Sequence, residues 1–288
     1  MSAKKIRLLL VLSLTANLSF FSQNSLLWEI SGNGLKKTSY LFGTYHLITS
    51  TFIDSFPLIH QEYSKTDAVA GEMILDAACL QKVQASAVMK DSSLDQLLCK
   101  ADYQLVADYL KETSGMSLSL FNKMKPVVVG TLFYSSLLTS KEKGVEMDQY
   151  FQESAKTDNK KLIGLETVED QIAVLFEGTS LKRQAEMLVK SAKDRDATGP
   201  ELMRTTHCYR TGDLACLLAS LQAEDGYTTD EMNRLLYSRN LNWMKKMPGL
   251  MEEMSVFIAV GAGHLPGDGG LIDLLRKKGY TLTPLQLK

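Results

Sequence analysis

The sequence has no tract of lysine and arginine and no basic patch interleaved with aromatic residues. Because proteins that bind nucleic acids usually carry such a patch on the contacting surface, nothing here indicates a nucleic-acid partner. The formal net charge is −1, and charged residues make up 23% of the chain, so the composition is not that of a disordered, highly charged protein. With 45% apolar residues, the 288-residue chain can bury a substantial core.

Cysteine is scarce, and no two cysteines are spaced as Cys-x-x-Cys. That spacing is typical of zinc and redox motifs, so the sequence indicates neither. The four cysteines form an even set, which permits disulfides in an oxidising compartment. We predict pairing between neighbours in sequence, Cys79 with Cys99 and Cys208 with Cys216. Buried free thiols are the alternative.

Long apolar runs are also missing after residue 21, so we expect no membrane span in that part of the chain. At the N-terminus, three basic residues precede the apolar run 8–21, which is too short to span a bilayer comfortably. This pattern predicts a secretory signal peptide over residues 1–23, followed by a single domain over 24–288. An uncleaved anchor is the alternative. Cleavage would place the protein in the periplasm or outside the cell, with no stable membrane span.

Histidine is rare too, yet two of the four histidines lie in the same pattern. Gly43-Thr-Tyr-His46 and Gly261-Ala-Gly-His264 each follow an apolar segment typical of a β-strand. With 19 glycines in the chain, chance predicts only about 0.3 such matches. We infer that the fold brings the two distant motifs into one site. Glycine before each histidine would permit a sharp turn and a close backbone approach.

The order of the predicted elements favours an α+β (mixed α/β) fold. A hairpin over residues 26–42 comes first, and strands over 67–73 and 161–166 alternate with helices. A strand-helix-strand unit over 256–285 ends the chain. This order predicts a central mixed sheet flanked by helices, with a large helical middle section. The first and last strands must share the sheet if the two histidines are to meet.

Three helix predictions depend on local signals. Ser93 begins a capping-box pattern, which predicts a helix through Leu110. Residues 118–138 are predicted to be helical and buried, with a kink or break at Pro126. Residues 230–247 are predicted to form one long amphipathic helix, ended by the Pro-Gly pair that follows.

Four of the predicted strands end in a side chain that can bind a metal ion: His46, Glu72, Glu166 and His264. Open α/β sheets bind ligands at the carboxyl ends of their strands. Two imidazoles with one or two carboxylates suit a divalent metal that activates water, and a free glutamate would be the general base. The alternative is that the histidines are hydrogen-bonded structural residues and that Glu72 is a solvated acid.

Nearby charged residues have simpler interpretations as well. Arg239 could clamp an anion or neutralise Glu72 or Glu166, or it could form an ordinary ion pair on a helix face. In the same way, Glu166 could simply pair with such an arginine and order the site. Glu146 and Asp148 lie in the first turn of a predicted helix, where the helix dipole favours acidic residues, so they need no functional explanation.

These motifs resemble the TraB/PrgY/GumN family, whose wider group includes the Tiki metalloproteases. The resemblance covers nearly all of the chain after the predicted signal peptide. It rests on LFGTYHL over residues 41–47, VGAGHLPGDGGLIDLL over 260–275, Ala-Gly-Glu72-Met, Gly-Val-Glu-Met-Asp148, Gly-Leu-Glu166-Thr and the pair Arg239-Asn240.

The resemblance implies a fold like that of erythromycin esterase and the ChaN-like proteins. It also implies a metal-dependent peptidase acting on peptides or on an exposed protein segment. His46 and His264 would be metal ligands, and Glu72 a ligand or the general base. Arg239 and Asn240 would orient the substrate or stabilise an oxyanion. Manganese or cobalt would be favoured over zinc.

Two other readings stay open. ChaN relatives bind haem and do not cleave peptides, so the chain could be an envelope protein that binds a peptide or haem without turnover. The second reading is an envelope protein whose histidines are purely structural.

Overall fold

The computed structural model describes residues 24–137, 144–222 and 227–287. The predicted signal peptide, residues 1–23, lies outside these ranges. The described strands are β1 Leu27–Gly32, β2 Ser39–Thr44, β3 Ala68–Gly71, β4 Lys161–Gly164, β5 Val256–Gly261 and β6 Tyr280–Leu285.

Helices occupy most of the remaining described chain. The α-helices are α1 Thr51–Asp54, α2 Pro57–Ser64, α3 Ala77–Ser86, α4 Leu94–Leu97, α5 Lys100–Ser114, α6 Pro126–Leu137, α7 Met147–Thr157, α8 Val168–Ile172, α9 Leu181–Lys193, α10 Arg195–Arg210, α11 Leu214–Leu221, α12 Thr229–Met232, α13 Ser238–Trp243, α14 Met247–Glu253 and α15 Leu271–Lys277. Two π-helical turns, Ala173–Glu177 and Asn233–Tyr237, follow α8 and α12 directly.

All six strands form one sheet in the order β4-β3-β5-β2-β1-β6. Strands β4, β3, β5 and β2 are mutually parallel, while β1 is antiparallel to both of its neighbours. This arrangement confirms the predicted mixed sheet with flanking helices. It also confirms that the first and last strands share the sheet, because β1 pairs with β6 along its whole length.

The central strands are apolar without alternation because helices cover both of their faces. Every residue of β2 and β3 is buried, as is every residue of β5 except the last. At the edge, β6 begins with alternating buried and exposed residues. The largest buried cluster therefore lies around the central strands and includes Trp28, Phe42, Phe151, Phe257 and Trp243.

A second buried cluster lies away from the sheet and corresponds to the predicted helical middle section. It joins α4, α5, α6 and α9 through residues such as Leu94, Val106, Phe133 and Leu188. Of the helices in the described ranges, none combines the length and the apolar character needed to cross a bilayer.

One local helix prediction in this region is wrong, and a second is confirmed in part. Ser93 makes no capping bond to the backbone, and α4 ends at Leu97, where Cys99 then caps a separate helix, α5. The predicted break at Pro126 is confirmed, because a 3₁₀ turn over Leu118–Phe121 ends before it. Pro126 then begins α6, since proline lacks only an N–H that the first turn leaves unpaired.

The predicted long helix over residues 230–247 is also wrong. The chain instead forms α12, a π-helical turn, α13 and a short turn before α14 begins at Met247. Pro248 lies in the first turn of α14, so the proline starts a new helix and does not end the old one.

The disulfide prediction is half correct. Cys208 and Cys216 are bonded and join α10 to α11, whereas Cys79 and Cys99 are free. Cys79 is buried, with its sulfur 3.6 Å from that of Met73. The exposed Cys99 sulfur accepts a hydrogen bond from the Asp102 amide at the start of α5. The predicted Cys79–Cys99 pairing is therefore wrong, with Cys79 in α3 and Cys99 at the N-cap of α5.

We expect the Cys208→Ala/Cys216→Ala double variant to lose about 2–3 kcal/mol of unfolding free energy. The reason is that the crosslink, which spans 8 residues, restricts the unfolded chain. Guanidinium denaturation without reductant would measure the loss, and wild-type protein with reductant should show a similar one.

Cys99→Ser is the matched control, because the Cys99 thiol is exposed and forms no disulfide, and serine keeps an acceptor for the Asp102 amide at the start of α5. It should change stability by less than about 0.5 kcal/mol. A double variant as stable as the wild type would contradict the disulfide assignment.

Candidate functional site

The four predicted strand-end residues lie at one edge of the sheet. They follow β2, β3, β4 and β5, which are adjacent and parallel, so their carboxyl ends meet there. Glu72, Glu166 and His264 join one buried polar cluster, and His46 lines the pocket beside Glu72.

Arg239 of α13 is the centre of the buried cluster. Its Nε and Nη2 donate to the two carboxylate oxygens of Glu166 at 3.0 and 2.6 Å. Nη2 also donates to Glu72 at 2.5 Å, and Nη1 donates to Nε2 of His264 at 3.0 Å. One side chain, only 9% exposed, thus bridges both carboxylates and one imidazole.

Asn240, the next residue of α13, determines which nitrogen of His264 carries the proton. The Asn240 amide nitrogen donates to the backbone carbonyls of His264 and Gly269 at 3.1 and 2.9 Å. Its Oδ1 must therefore accept from His264 Nδ1, 2.7 Å away. The neutral ring then keeps a lone pair on Nε2. Burial lowers the pKa of His264 to about 3, so the ring is uncharged at neutral pH.

Glu72 is held by donors from three directions. Its Oε1 accepts from the Gly261 amide at 2.9 Å, and Oε2 accepts from Gln171 at 3.0 Å in addition to Arg239. Burial alone would raise the pKa of this carboxyl, but the charge of Arg239, the Gly261 amide and the charge of His46 outweigh it and lower the pKa to about 2. Glu72 is therefore ionised at neutral pH.

Glu166 is fully occupied by protein donors. Besides the two bonds from Arg239, its Oε2 accepts from the Trp243 indole at 3.1 Å. The pKa of Glu166 is raised, mainly by burial and against the pull of Arg239. Glu166 therefore pairs with Arg239, and neither of its oxygens is free of that arginine.

The motif glycines allow the two loops to approach closely. A Cβ on Gly43 would come within 3.0 Å of Ala262, in the loop that carries His264. A Cβ on Gly261 would lie 3.2 Å from the Glu72 carboxylate, which that glycine's own amide binds. The expected close approach is therefore present at both glycines. A left-handed turn is not, because neither glycine has a positive φ.

His46 has a different environment from His264. Its side chain is 64% exposed, and its Nδ1 lies 3.1 Å from Oδ2 of Asp148. Pairing with Asp148 raises the pKa of His46 to about 9. Behind the loop, Tyr209 donates to the Gly43 carbonyl at 2.8 Å and stacks on Tyr45 with ring centroids 5.0 Å apart.

A pocket of about 220 Å³ opens between His46 and the buried cluster. Carboxylates and carboxamides share its wall with apolar side chains of Met73, Leu75 and Leu175. Its full lining is His46, Glu72, Met73, Leu75, Glu146, Asp148, Gln152, Gln171 and Leu175.

The side chains offer metal-binding chemistry without forming an assembled metal cage. Within residues 24–137, 144–222 and 227–287, no three His, Cys, Asp or Glu side chains converge closely enough to hold an ion. The 3.7 Å between His264 Nε2 and the nearer Glu72 oxygen is too long for a hydrogen bond, and Arg239 bridges the two.

Sequence reasoning missed the roles of three side chains. Trp243 lies one helical turn after Arg239, binds Glu166 and stacks on the His264 ring with centroids 4.4 Å apart. Gln171 lies on α8, just after Glu166, and reaches Glu72. Asp148 contacts His46. The i,i+4 spacing of Arg239 and Trp243 on one helix was the available sequence signal for the role of Trp243. No local pattern marks Gln171.

Comparison with known proteins places these residues in a family context. The sequence profile of the TraB/PrgY/gumN family matches residues 26–284. The human protein named metalloprotease TIKI1 is 25% identical over 317 residues, which cover 89% of this chain and 61% of the human protein. Metalloprotease TIKI2 of Danio rerio is 25% identical over 323 residues, which cover 91% of this chain and 62% of that protein. The chain thus spans less than two thirds of these relatives. No solved structure matches it.

Removing the charge of Arg239 should strongly destabilise the fold. We expect Arg239→Met to cost about 3–5 kcal/mol of unfolding free energy, because Glu72 and Glu166 would be left buried without their cation. Urea denaturation of the wild type and the variant would measure the loss.

Two further variants isolate the cause. Adding Glu166→Gln to Arg239→Met should recover part of the loss, since one uncompensated charge disappears. Arg195→Met, at the exposed pair with Glu112, should cost less than about 1 kcal/mol. Equal losses of unfolding free energy in Arg239→Met and Arg195→Met would show that the buried network stabilises the fold no more than an exposed ion pair does.

Proposed function

Because the chain belongs to the TraB/PrgY/gumN family, we propose that it is a metal-dependent hydrolase that cleaves peptides or an exposed segment of a protein. The observation that carries the proposal is that both Gly-x-x-His motifs and Glu72 follow adjacent parallel strands and lie at one edge of the mixed sheet. The relatives that match most of this chain are named metalloproteases, which supports the same chemistry.

The available donors suit a divalent ion. His264 Nε2, whose lone pair accepts from Arg239, lies 3.7 Å from the ionised Glu72, and His46 lines the pocket beside them. In addition, Oδ2 of Asp148 is buried and accepts no hydrogen bond from the described residues. We assign His46, His264 and Glu72 as the residues that would hold the metal. Glu166 fits the role less well, because Arg239 occupies both of its oxygens.

When bound, manganese or cobalt would activate a water molecule for attack on the amide carbonyl. Glu72 is ionised, so it would either help to hold the ion or accept a proton from that water as the general base. Asn240 has no free donor or acceptor, so we assign it to positioning His264 and not to binding substrate. Arg239 brings a positive charge to the same edge, where it can stabilise negative charge developing on the substrate.

The Arg239 bridge also favours a second candidate function. With its guanidinium between His264 and Glu72, the cluster is satisfied without an ion. A protein that binds a peptide or haem in the same pocket without turnover would keep this arrangement.

We also propose that the protein is exported to the periplasm or the extracellular space. The predicted signal peptide and the Cys208–Cys216 disulfide support an oxidising compartment.

Metal content would test the proposal first. We expect the protein reloaded with manganese or cobalt to retain about one ion per chain by mass spectrometry, and His46→Ala and His264→Ala to lose it. His60→Ala is the matched control, since His60 lies on α2 beside Asp54, away from the pocket. Retention of metal by both motif variants would contradict the assigned site.

Turnover would then separate the two candidate functions. Loaded wild-type protein should cleave members of a peptide library, scored by mass spectrometry, and Glu72→Gln should lower the rate by at least about 100-fold. Metal-loaded protein that binds peptides or haem but cleaves nothing would favour the binding protein.

A further inference from the structure

Asp148 has a feature that its place on a helix does not explain. It lies in the first turn of α7, where the helix dipole stabilises any acidic residue. Its Oδ2, however, is buried and accepts no hydrogen bond from the described part of the chain. A buried carboxylate oxygen without a partner is costly. The helix dipole does not explain why this oxygen is buried, because a first-turn carboxylate interacts favourably with the dipole while it is still solvated.

The surrounding structure holds Asp148 in place. Thr44, the last residue of β2, donates its hydroxyl to Oδ1 at 2.9 Å. The start of α7 is tied to the loop after His46 by the Ser50 amide, which donates to the Val145 carbonyl at 2.8 Å. The Thr44 hydroxyl therefore fixes Oδ1, and the Ser50 amide fixes the start of the helix that carries Asp148. Only Oδ2 is without a hydrogen-bond donor from the described residues.

The group that faces Oδ2 is the imidazole of His46. Its Nδ1 is 3.1 Å away, within ion-pair distance, although the ring is not aligned for an N–H···O bond. Since the His46 side chain is mostly exposed, the ring can rotate into alignment without moving the core.

The second histidine of the site already shows the completed arrangement. Asn240 Oδ1 accepts from His264 Nδ1, which leaves the lone pair on Nε2, where it accepts from Arg239 beside Glu72. Histidines that bind metals commonly donate the other ring N–H to a fixed acceptor, which sets the tautomer and the ring orientation. For His46, Asp148 is the corresponding acceptor.

We propose that Asp148 is a positioning residue that accepts the Nδ1–H of His46 through Oδ2 and so presents Nε2 of His46 to the metal. This inference rests on the proposed function, because it assumes that His46 is a ligand. The two histidines are then held by unlike partners, a neutral amide for the buried ring and a carboxylate for the exposed one.

Cobalt affinity tests the assignment without any assay of activity. Isothermal titration of the full chain with Co²⁺ should show that Asp148→Leu binds about 10- to 100-fold more weakly than the wild type. Asp148→Asn keeps an acceptor oxygen and should lose less than about 10-fold. Asp102→Leu removes a first-turn carboxylate from α5 and should leave the affinity unchanged.

A second readout uses the metal-free protein. Imidazole ¹⁵N spectra, recorded above the raised pKa of His46, should show the Nδ1–H tautomer in the wild type and in Asp148→Asn, and lose it in Asp148→Leu. His46→Gln identifies the signal. Thermal melting checks that each variant folds, and Asp148→Asn keeps the comparison available if the leucine variant does not.

The outcomes separate this inference from the proposed function. Equal Co²⁺ affinity of the wild type and Asp148→Leu overturns the role of Asp148 and leaves the metal site standing. Absence of Co²⁺ binding by the wild type overturns the metal site and, with it, the presentation of Nε2 to an ion. In that case an unchanged tautomer in Asp148→Leu overturns the pairing itself.

Discussion

A single guanidinium, buried where the carboxyl ends of parallel strands meet, determines much of this structure. Arg239 binds Glu72 after β3, Glu166 after β4 and His264 after β5. A buried charge is tolerable only when it is paired and hydrogen-bonded, so these three loops must keep their relative positions. α13 must also stay packed over the sheet edge to supply the arginine. Its Trp243 reinforces this by binding Glu166 and stacking on His264.

The two histidines of the matching motifs occupy unlike environments. His264 is buried, neutral and held by an amide, whereas His46 is exposed, has a raised pKa and faces a carboxylate. A metal ion would therefore meet one ligand that is already deprotonated and one that must release a proton.

The π-helical turns Ala173–Glu177 and Asn233–Tyr237 pack against each other near this edge, and such turns are frequent at functional sites.

Much of the site was predictable from the sequence because strand ends are local features. An apolar run followed by Gly-x-x-His or by a carboxylate marks each one, and parallel strands place such ends together. Helix boundaries were less predictable. Pro126 and Pro248 start helices although each lies within or just after a predicted helix, because proline suits a first turn as well as it ends a helix.

The sequence by itself determined which residues end the strands and where glycine permits close approach. Only the tertiary structure decided how those residues are used. Arg239 takes Glu166 as its partner, and Asn240 fixes the tautomer of His264. Asp148 accepts from Thr44, which lies 104 residues earlier in the chain, and faces His46. These pairings depend on strand order and on which helix face meets the sheet edge. Both are set by packing over the whole core, which no local pattern encodes.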